Sequence, residues 1–329
     1  MIIRKSFHFD QFRCIAAACP DSCCKEWSVA VDPEAAALYR SLEGPLGDRL
    51  RQVLTEEDGD TILQIEEGRC PMWRLDGLCR IQAELGHEAL CKTCREFPRL
   101  THDYGDFREY GLELSCPEAA RMILSSPPQP LIATEVPGGE EAEYDFDAME
   151  VLLRTRDNAL ALLRQERPAK ELLTLLLMYG YQAQGELDGD EEQPFCPSAA
   201  LEEAQALARP GDPAAVLAFY KELEILTGTW RQRLNAPQDG GWQGNYPALA
   251  SYFVERYWLQ AVSDYDLVGR VKLAVLSCLT IKLLGGDFIE TAQAYSKEIE
   301  NDPDNVDALL DGAYTAPAFT DDKLLGLLL

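Results

Sequence analysis

Residues 14–24 read Cys-Ile-Ala-Ala-Ala-Cys-Pro-Asp-Ser-Cys-Cys, four thiols within eleven positions. Core packing does not call for cysteine at that density, so the segment reads as a loop wrapped around a thiolate-bound group. Further along come Cys70-x8-Cys79-x11-Cys91-x2-Cys94 and then Cys116, which places nine of the eleven cysteines in the first 116 residues. Only Cys196 and Cys278 fall in the rest of the chain. The nine candidate metal ligands are therefore Cys14, Cys19, Cys23, Cys24, Cys70, Cys79, Cys91, Cys94 and Cys116. Cys91 and Cys94 are the strongest local unit, because residues three apart on a helix face the same side. Cys23 and Cys24 are adjacent, so their side chains are expected to point apart, with one of them binding elsewhere or packing.

Zinc sites often recruit histidine, and this chain has only His8, His87 and His102. Many thiols with few imidazoles favour an iron–sulfur cluster of the 4Fe–4S kind. The alternatives are zinc stapling a loop-rich region through the same thiols, and plain packing. The spacing matches neither a common ferredoxin pattern nor the C-x3-C-x2-C of radical enzymes. No G-x-G-x-x-G follows a strand, and no P-loop is present.

Composition narrows the partners. The chain has 329 residues, 47% of them hydrophobic, enough for a sizeable core. Its formal net charge of −26 repels phosphate backbones and anionic membranes, so neither nucleic acid nor a membrane is an expected partner. It would attract a cationic partner such as a lysine-bearing protein surface, although acidity can also serve solubility alone. The opening MIIRKSFHFDQF lacks the apolar run of a signal peptide, and Arg270, Lys272 and Lys282 interrupt the most apolar helix, Leu267–Leu284. A cytoplasmic protein is expected, in which clustered cysteines stay reduced and serve as ligands.

The expected fold is mainly α, with a cysteine-rich metal-binding region and a few short strands over residues 1–124. A linker follows over 125–145, then a helical bundle over 146–329. Trp27–Val31 and Ile62–Ile65 read as strands, and Asp32-Pro33 as an N-cap with proline at the first helical position. Arg80–Cys94 has helical spacing weakened by Gly86. Ser125-Ser-Pro-Pro-Gln-Pro130 and the acidic Gly138–Glu143 mark the linker. Beyond it, apolar stripes run through Met149–Leu163, Glu171–Gln182, Val216–Leu226, Tyr246–Val262 and Leu267–Leu284. Asp287-Phe-Ile-Glu290 has the spacing of a capping box opening a further helix.

Several segments taken in order resemble one family: Phe12-Arg-Cys14, Cys19-Pro-Asp-Ser-Cys23-Cys24-Lys-Glu-Trp27, Cys70-Pro-Met-Trp73, Gly77-Leu-Cys79-Arg-Ile-Gln82, Leu90-Cys91-Lys-Thr-Cys94-Arg95-Glu-Phe-Pro98-Arg99 and Leu114-Ser-Cys116-Pro-Glu118-Ala-Ala120. Together they are similar to the flagellin lysine-N-methylase family, over roughly residues 7–121. The resemblance implies methyl transfer from S-adenosylmethionine to surface lysines of flagellin. It leaves the cluster to hold the fold or to anchor the cofactor's amino and carboxylate groups. Within the matching segments, Arg95 and Arg99 are candidate cofactor-binding residues, with ordinary ion pairs as the alternative. Glu118 is a candidate proton acceptor, or else a plain acid at a helix N-terminus. Trp27 and Trp73 are placed to shield the cluster or to pack, and Tyr104 and Tyr110 are weaker candidates for the amine path. A non-catalytic zinc- or iron-binding module that docks a partner is the competing reading.

Overall fold

Asp32 shows how local sequence builds this chain. In a computed structural model describing residues 1–57 and 59–329, its Oδ1 accepts the Ala35 N–H (3.0 Å) and its Oδ2 the Lys92 N–H (2.7 Å). One carboxylate thus caps two helices, and these two N–H groups, Lys92 foremost, hold it below the usual carboxylate range.

The elements follow in chain order. The first part holds β1 (Ile2–Lys5), β2 (Val29–Ala30), α1 (Pro33–Ser41), α2 (Gly44–Val53), β3 (Leu54–Glu57) and β4 (Asp60–Leu63). Next come α3 (Arg80–Leu85), α4 (Lys92–Glu96), β5 (Arg99–Asp103), β6 (Phe107–Leu112), α5 (Pro117–Leu124) and β7 (Ile132–Glu135). The remainder is helical: α6 (Phe146–Leu163), α7 (Ala169–Leu187), α8 (Pro197–Leu207), α9 (Pro213–Lys221) and α10 (Gly228–Asn235). It closes with α11 (Tyr246–Tyr257), α12 (Leu267–Leu284), α13 (Phe288–Tyr295), α14 (Pro303–Thr315) and α15 (Asp321–Leu328). The fold is mainly α.

The strands form two small sheets. In the order β2-β4-β3, Val29 pairs with Leu63 and the β3–β4 hairpin runs antiparallel. The other sheet, β5-β6-β1-β7, pairs β1 parallel to β6 (Ile2 with Phe107) and antiparallel to β7 (Ile2 with Glu135). Two expectations change here. The 125–145 stretch is not a bare connector, since it supplies β7. That strand's four side chains are all exposed, so no apolar alternation marked it. The Arg80–Cys94 helix is broken at Gly86, whose φ of +90° suits glycine and turns the chain into a short 3-10 turn before α4.

α12 is the axis of the helical part. Every residue from Leu267 to Leu284 is buried except Lys282, and α7, α11, α13 and α14 pack around it. The approach of α7 is close enough that a Cβ on Gly180 would lie 2.7 Å from a Val271 methyl. Its buried charges have counter-charges: Lys272 Nζ reaches Ala313 O (2.8 Å) and Asp321 (2.8 Å), and Arg270 pairs with Asp264 (2.9 Å). Among the described residues no helix is long and apolar enough to cross a membrane.

The two parts share a core. Phe107, Leu114, Ala120 and Leu124 join the helical cluster, while Val29, Tyr39, Leu50, Met72, Ile81 and Leu90 form a separate small core behind the cysteines. Across the seam, Arg156 makes a buried two-pronged pair with Glu109 (2.6 and 2.7 Å). Asn245 donates to Leu124 O and Ser126 O (3.2 and 2.6 Å).

Candidate functional site

Six thiols from three separated segments meet beside the small core. The 23–26 and 68–72 segments are zipped together: Cys70 N–H donates to Cys24 O (2.8 Å) and Glu26 N–H to Gly68 O (3.0 Å). Trp73 bridges to Cys79, and Arg80 N–H donates to Met72 O (2.7 Å), which brings in Cys79. Cys91 and Cys94 arrive on α4, anchored by Asp32 at its start and by Thr93 Oγ1 donating to Ala30 O (2.9 Å). Cys91 is the N-cap of α4 and Cys94 its third helical residue, so the pair faces one side even though the longer helix is interrupted. The Cys23 and Cys24 thiols also fall within hydrogen-bond reach of each other. The backbone turns at 23–24, without the strand alternation that places neighbouring side chains on opposite faces.

All these cysteines are free thiols. Their titrations are linked, Cys23 and Cys70 acting on Cys24 and Cys94 acting on Cys91. Cys24 accepts from Cys23, yet its own donation to Cys70 and its burial push it up to about 12. Donation from Cys24 holds Cys70 down in spite of burial. The Cys94 thiol and backbone N–H bring Cys91 down to about 7, and Cys94, as the donor, is pushed well up.

Cys14, Cys19 and Cys116 make a second, smaller group. Cys19 follows a 3-10 turn whose first residue, Ala16, has φ +49°, and Cys116 is the N-cap of α5. Burial pushes Cys116 up to about 11, against the opposing Ala119 and Glu118 N–H groups. Chain order therefore misleads in part: Cys24 sits with Cys70, and Cys23 faces both Cys24 and Cys19. Cys278 lies buried on α12, and Cys196 is exposed.

The donor set suits a thiolate-bound group in kind and number. It does not form a ready single-ion site, because among the described residues no three His, Cys, Asp or Glu side chains converge to hold one metal ion. A tetrahedral zinc needs its sulfurs about 2.3 Å from one point. A polynuclear cluster accepts its thiolates further apart, each on its own iron.

The other expected residues disperse. Arg95 donates to Leu90 O (3.4 Å), and Arg99 lies over the Phe12 ring (5.3 Å) and near Phe9 (6.0 Å). Neither lines the clefts described next. Glu118 is gripped by Arg121 through two bonds (2.6 and 2.8 Å), which hold its carboxyl low; this suits an anion in a cleft wall better than a proton acceptor. Trp27 packs behind the six thiols with Lys297 over its ring (5.1 Å), and Trp73 carries Arg69 (4.1 Å). Tyr104 stacks on Phe107 (4.6 Å), and Tyr110 lies beside Phe9 (5.3 Å).

Two clefts run along the seam. One of about 620 Å³ lies between the Ile15–Glu26 loop, the start of α5 and α13, with Asp21, Glu26, Glu118, Asp287, Glu290 and Glu298 in its wall. The other, of about 510 Å³, is lined by Trp27, Thr93 and Phe97 on one side and Arg256, Lys297 and Glu300 on the other. Lys297 belongs to both. It is buried in a π-turn (296–300) and pairs with Asp21 (3.0 Å) and Glu26 (2.6 Å), while Gln293 donates to Ser115 O (2.8 Å). Burial alone would raise Asp21, but Lys297 holds it below the usual range. Sequence reasoning missed this clasp, and its only local signal was the capping box that starts α13.

A reduced thiol cluster mounted on a helical domain, with acidic clefts at the join, defines a cysteine-cluster protein. Comparison with known proteins narrows this. The chain is 34% identical over 123 residues to the flagellar biosynthetic protein FliU of Salmonella muenchen, a match covering 35% of this chain and 73% of that protein. It is 34% identical over 124 residues to the lysine-N-methylase of Salmonella typhimurium strain LT2, covering 36% of this chain and 31% of the other. The lysine-N-methylase of Salmonella choleraesuis matches at 34% over 123 residues, again 31% of its length. The chain belongs to the flagellin lysine-N-methylase family. No family model matches it, and no solved structure does.

Proposed function

We propose that this chain is a protein-lysine N-methyltransferase that moves methyl groups from S-adenosylmethionine to surface lysines of flagellin. The observation that carries the reading is the gathering of six free thiols in a chain of this family, with open clefts of mixed charge formed by residues of the same segments, Glu26, Trp27 and Thr93 among them. The reaction asks little of the protein in covalent terms. A neutral ε-amine attacks the sulfonium methyl in line, the N–C bond forms, and the S–C electron pair returns to sulfur as a thioether. The amine's proton leaves to solvent or a base. The protein has to align donor and acceptor, lower the cost of deprotonation and exclude water.

The larger cleft has the size of a cofactor site, and its acids favour both a sulfonium and an incoming lysine over anions. Lys297 and Arg121 hold Asp21, Glu26 and Glu118 in the wall as fixed anions. Cys23, Cys24, Cys70, Cys79, Cys91 and Cys94 would hold an iron–sulfur cluster. Such a group supplies a rigid staple between three chain segments and an iron with Lewis acidity. Loading it would release thiol protons. The chain's acidity, formal charge −26, suits a lysine-bearing protein substrate.

The test is incubation of anaerobically purified protein with flagellin and methyl-labelled S-adenosylmethionine. Labelled lysines are expected. An unlabelled flagellin, with iron and sulfide present in the protein and the cognate flagellin verified, would overturn the proposal.

A further inference from the structure

A third cavity, of about 70 Å³, lies away from the thiols between the β5-β6-β1 face and α11. Leu100, Ile123 and Leu131 give it apolar walls, and its polar lining includes His102, Ser251 and Glu255 beside the ion-paired Glu109 and Arg256. The polar groups there are unusually idle. His102 Nε2 and Ser251 Oγ are buried with no hydrogen-bond partner, as is Ser6 Oγ beside them. Glu255 is half-buried, and among the described residues no hydrogen bond or ion pair engages its carboxyl, whereas its charged neighbours have ion-pair partners. Glu109 is taken by Arg156 (2.6 Å) and Arg256 by Glu300 (3.2 Å). Native proteins rarely leave several buried polar groups unpaired around one cavity unless a guest completes them.

The geometry points to a binding site for a primary amine at the end of a short aliphatic chain. Apolar walls suit the stem. An ammonium has three donors and no acceptor, and it would give the single uncommitted carboxyl its counter-charge while Ser251 and His102 accept its remaining protons. The volume holds ~5 atoms of water size, which fits an alkylamine tip and excludes a nucleoside. Burial lifts Glu255 to about 8, with Arg156 on α6 and Arg164 just past its end opposing and Glu109 on β6 adding to the rise. His102 on β5 is kept neutral chiefly by burial, and Arg256 on α11 is neutralised by Glu300. An ammonium entering near neutral pH would therefore displace the Glu255 proton to the buffer. The inference does not depend on methyl transfer.

Calorimetric titration of the full chain with n-butylamine, N-acetyl-lysine methylamide and n-butanol tests it. Butylamine is expected to bind at least ~10-fold tighter than butanol, with proton release shown by two buffers of different ionisation enthalpy. Binding of the lysine amide as well would identify a protein side chain as the guest, and binding of butylamine alone a free amine. Glu255→Gln, a near-isosteric change, should erase the preference for amine over alcohol. Should that variant fail to fold, Ser251→Val fills the lining and should abolish butylamine binding. Equal affinity for amine and alcohol, no binding of either, or a preference retained in the folded variants would overturn the site.

Discussion

The thiol-rich region and the helical region of this chain are stabilised in opposite ways. Around α12 the chain buries a continuous apolar core, and most helices bring a capping side chain of their own, Asp145, Asp212, Thr227, Asn245, Asp266, Asp287 or Asp302. The thiol-rich region has a core of a few side chains, helices of five to ten residues and strands of two to six. It depends on zipped loops and one shared cap. The lesson is that a region with a small core can still be held in register by backbone bridges and a single carboxylate.

The largest test breaks the seam between the two regions. Arg156→Ala strands the buried Glu109 carboxylate and should cost about 3–5 kcal/mol in denaturant unfolding. A loss near zero would show that the regions unfold independently. Within the helical core, Leu276→Ala, at a fully buried position, should cost about 2–5 kcal/mol without changing metal content. Asp32→Ala should cost about 1–2 kcal/mol by removing caps from α1 and α4. It should also lower bound iron, measured by elemental analysis, because α4 carries Cys91 and Cys94. Unchanged iron would mean the shared cap does not set the thiols.

The helical region is also open to a test by pH. Glu255 is held up at about 8 against an ordinary 4.5, so the folded state keeps its proton across that window while the unfolded chain loses it. Stability from this group is full below about 4.5 and falls as pH rises through about 8. Glu255→Gln should flatten that part of the stability profile, and an unaltered slope would contradict the assignment. The smallest effect is expected at the exposed Arg40–Glu56 pair (2.6 Å), where Arg40→Gln should shift unfolding by under about 1 kcal/mol.

How far each part was legible follows from range. α12 runs over the residues its apolar pattern predicts, and Asp32-Pro33 starts α1 as expected, because periodicity and capping are local signals. β1, β5 and β6 gave no warning, since their pairing joins residue 2 to residue 107 and their alternation is short. The cysteines were identifiable as a set but not as groups. Only the bridges between residues 24–26 and 68–70 show that Cys24 belongs with Cys70. Arg95 and Arg99 were singled out for their nearness in sequence to Cys94, and the chain turns both away from the clefts. Lys297 had no such nearness and lies at the centre of the seam.

That clasp sets an order of events during synthesis. Asp21 and Glu26 leave the ribosome early, but the ammonium that fixes them is on residue 297 and follows hundreds of peptide bonds later. Until then the Ile15–Glu26 loop has its thiols exposed and no far wall to its cleft. Until residue 297 has been added, the cleft lacks both the ammonium that fixes its acids and the α13 wall that faces them.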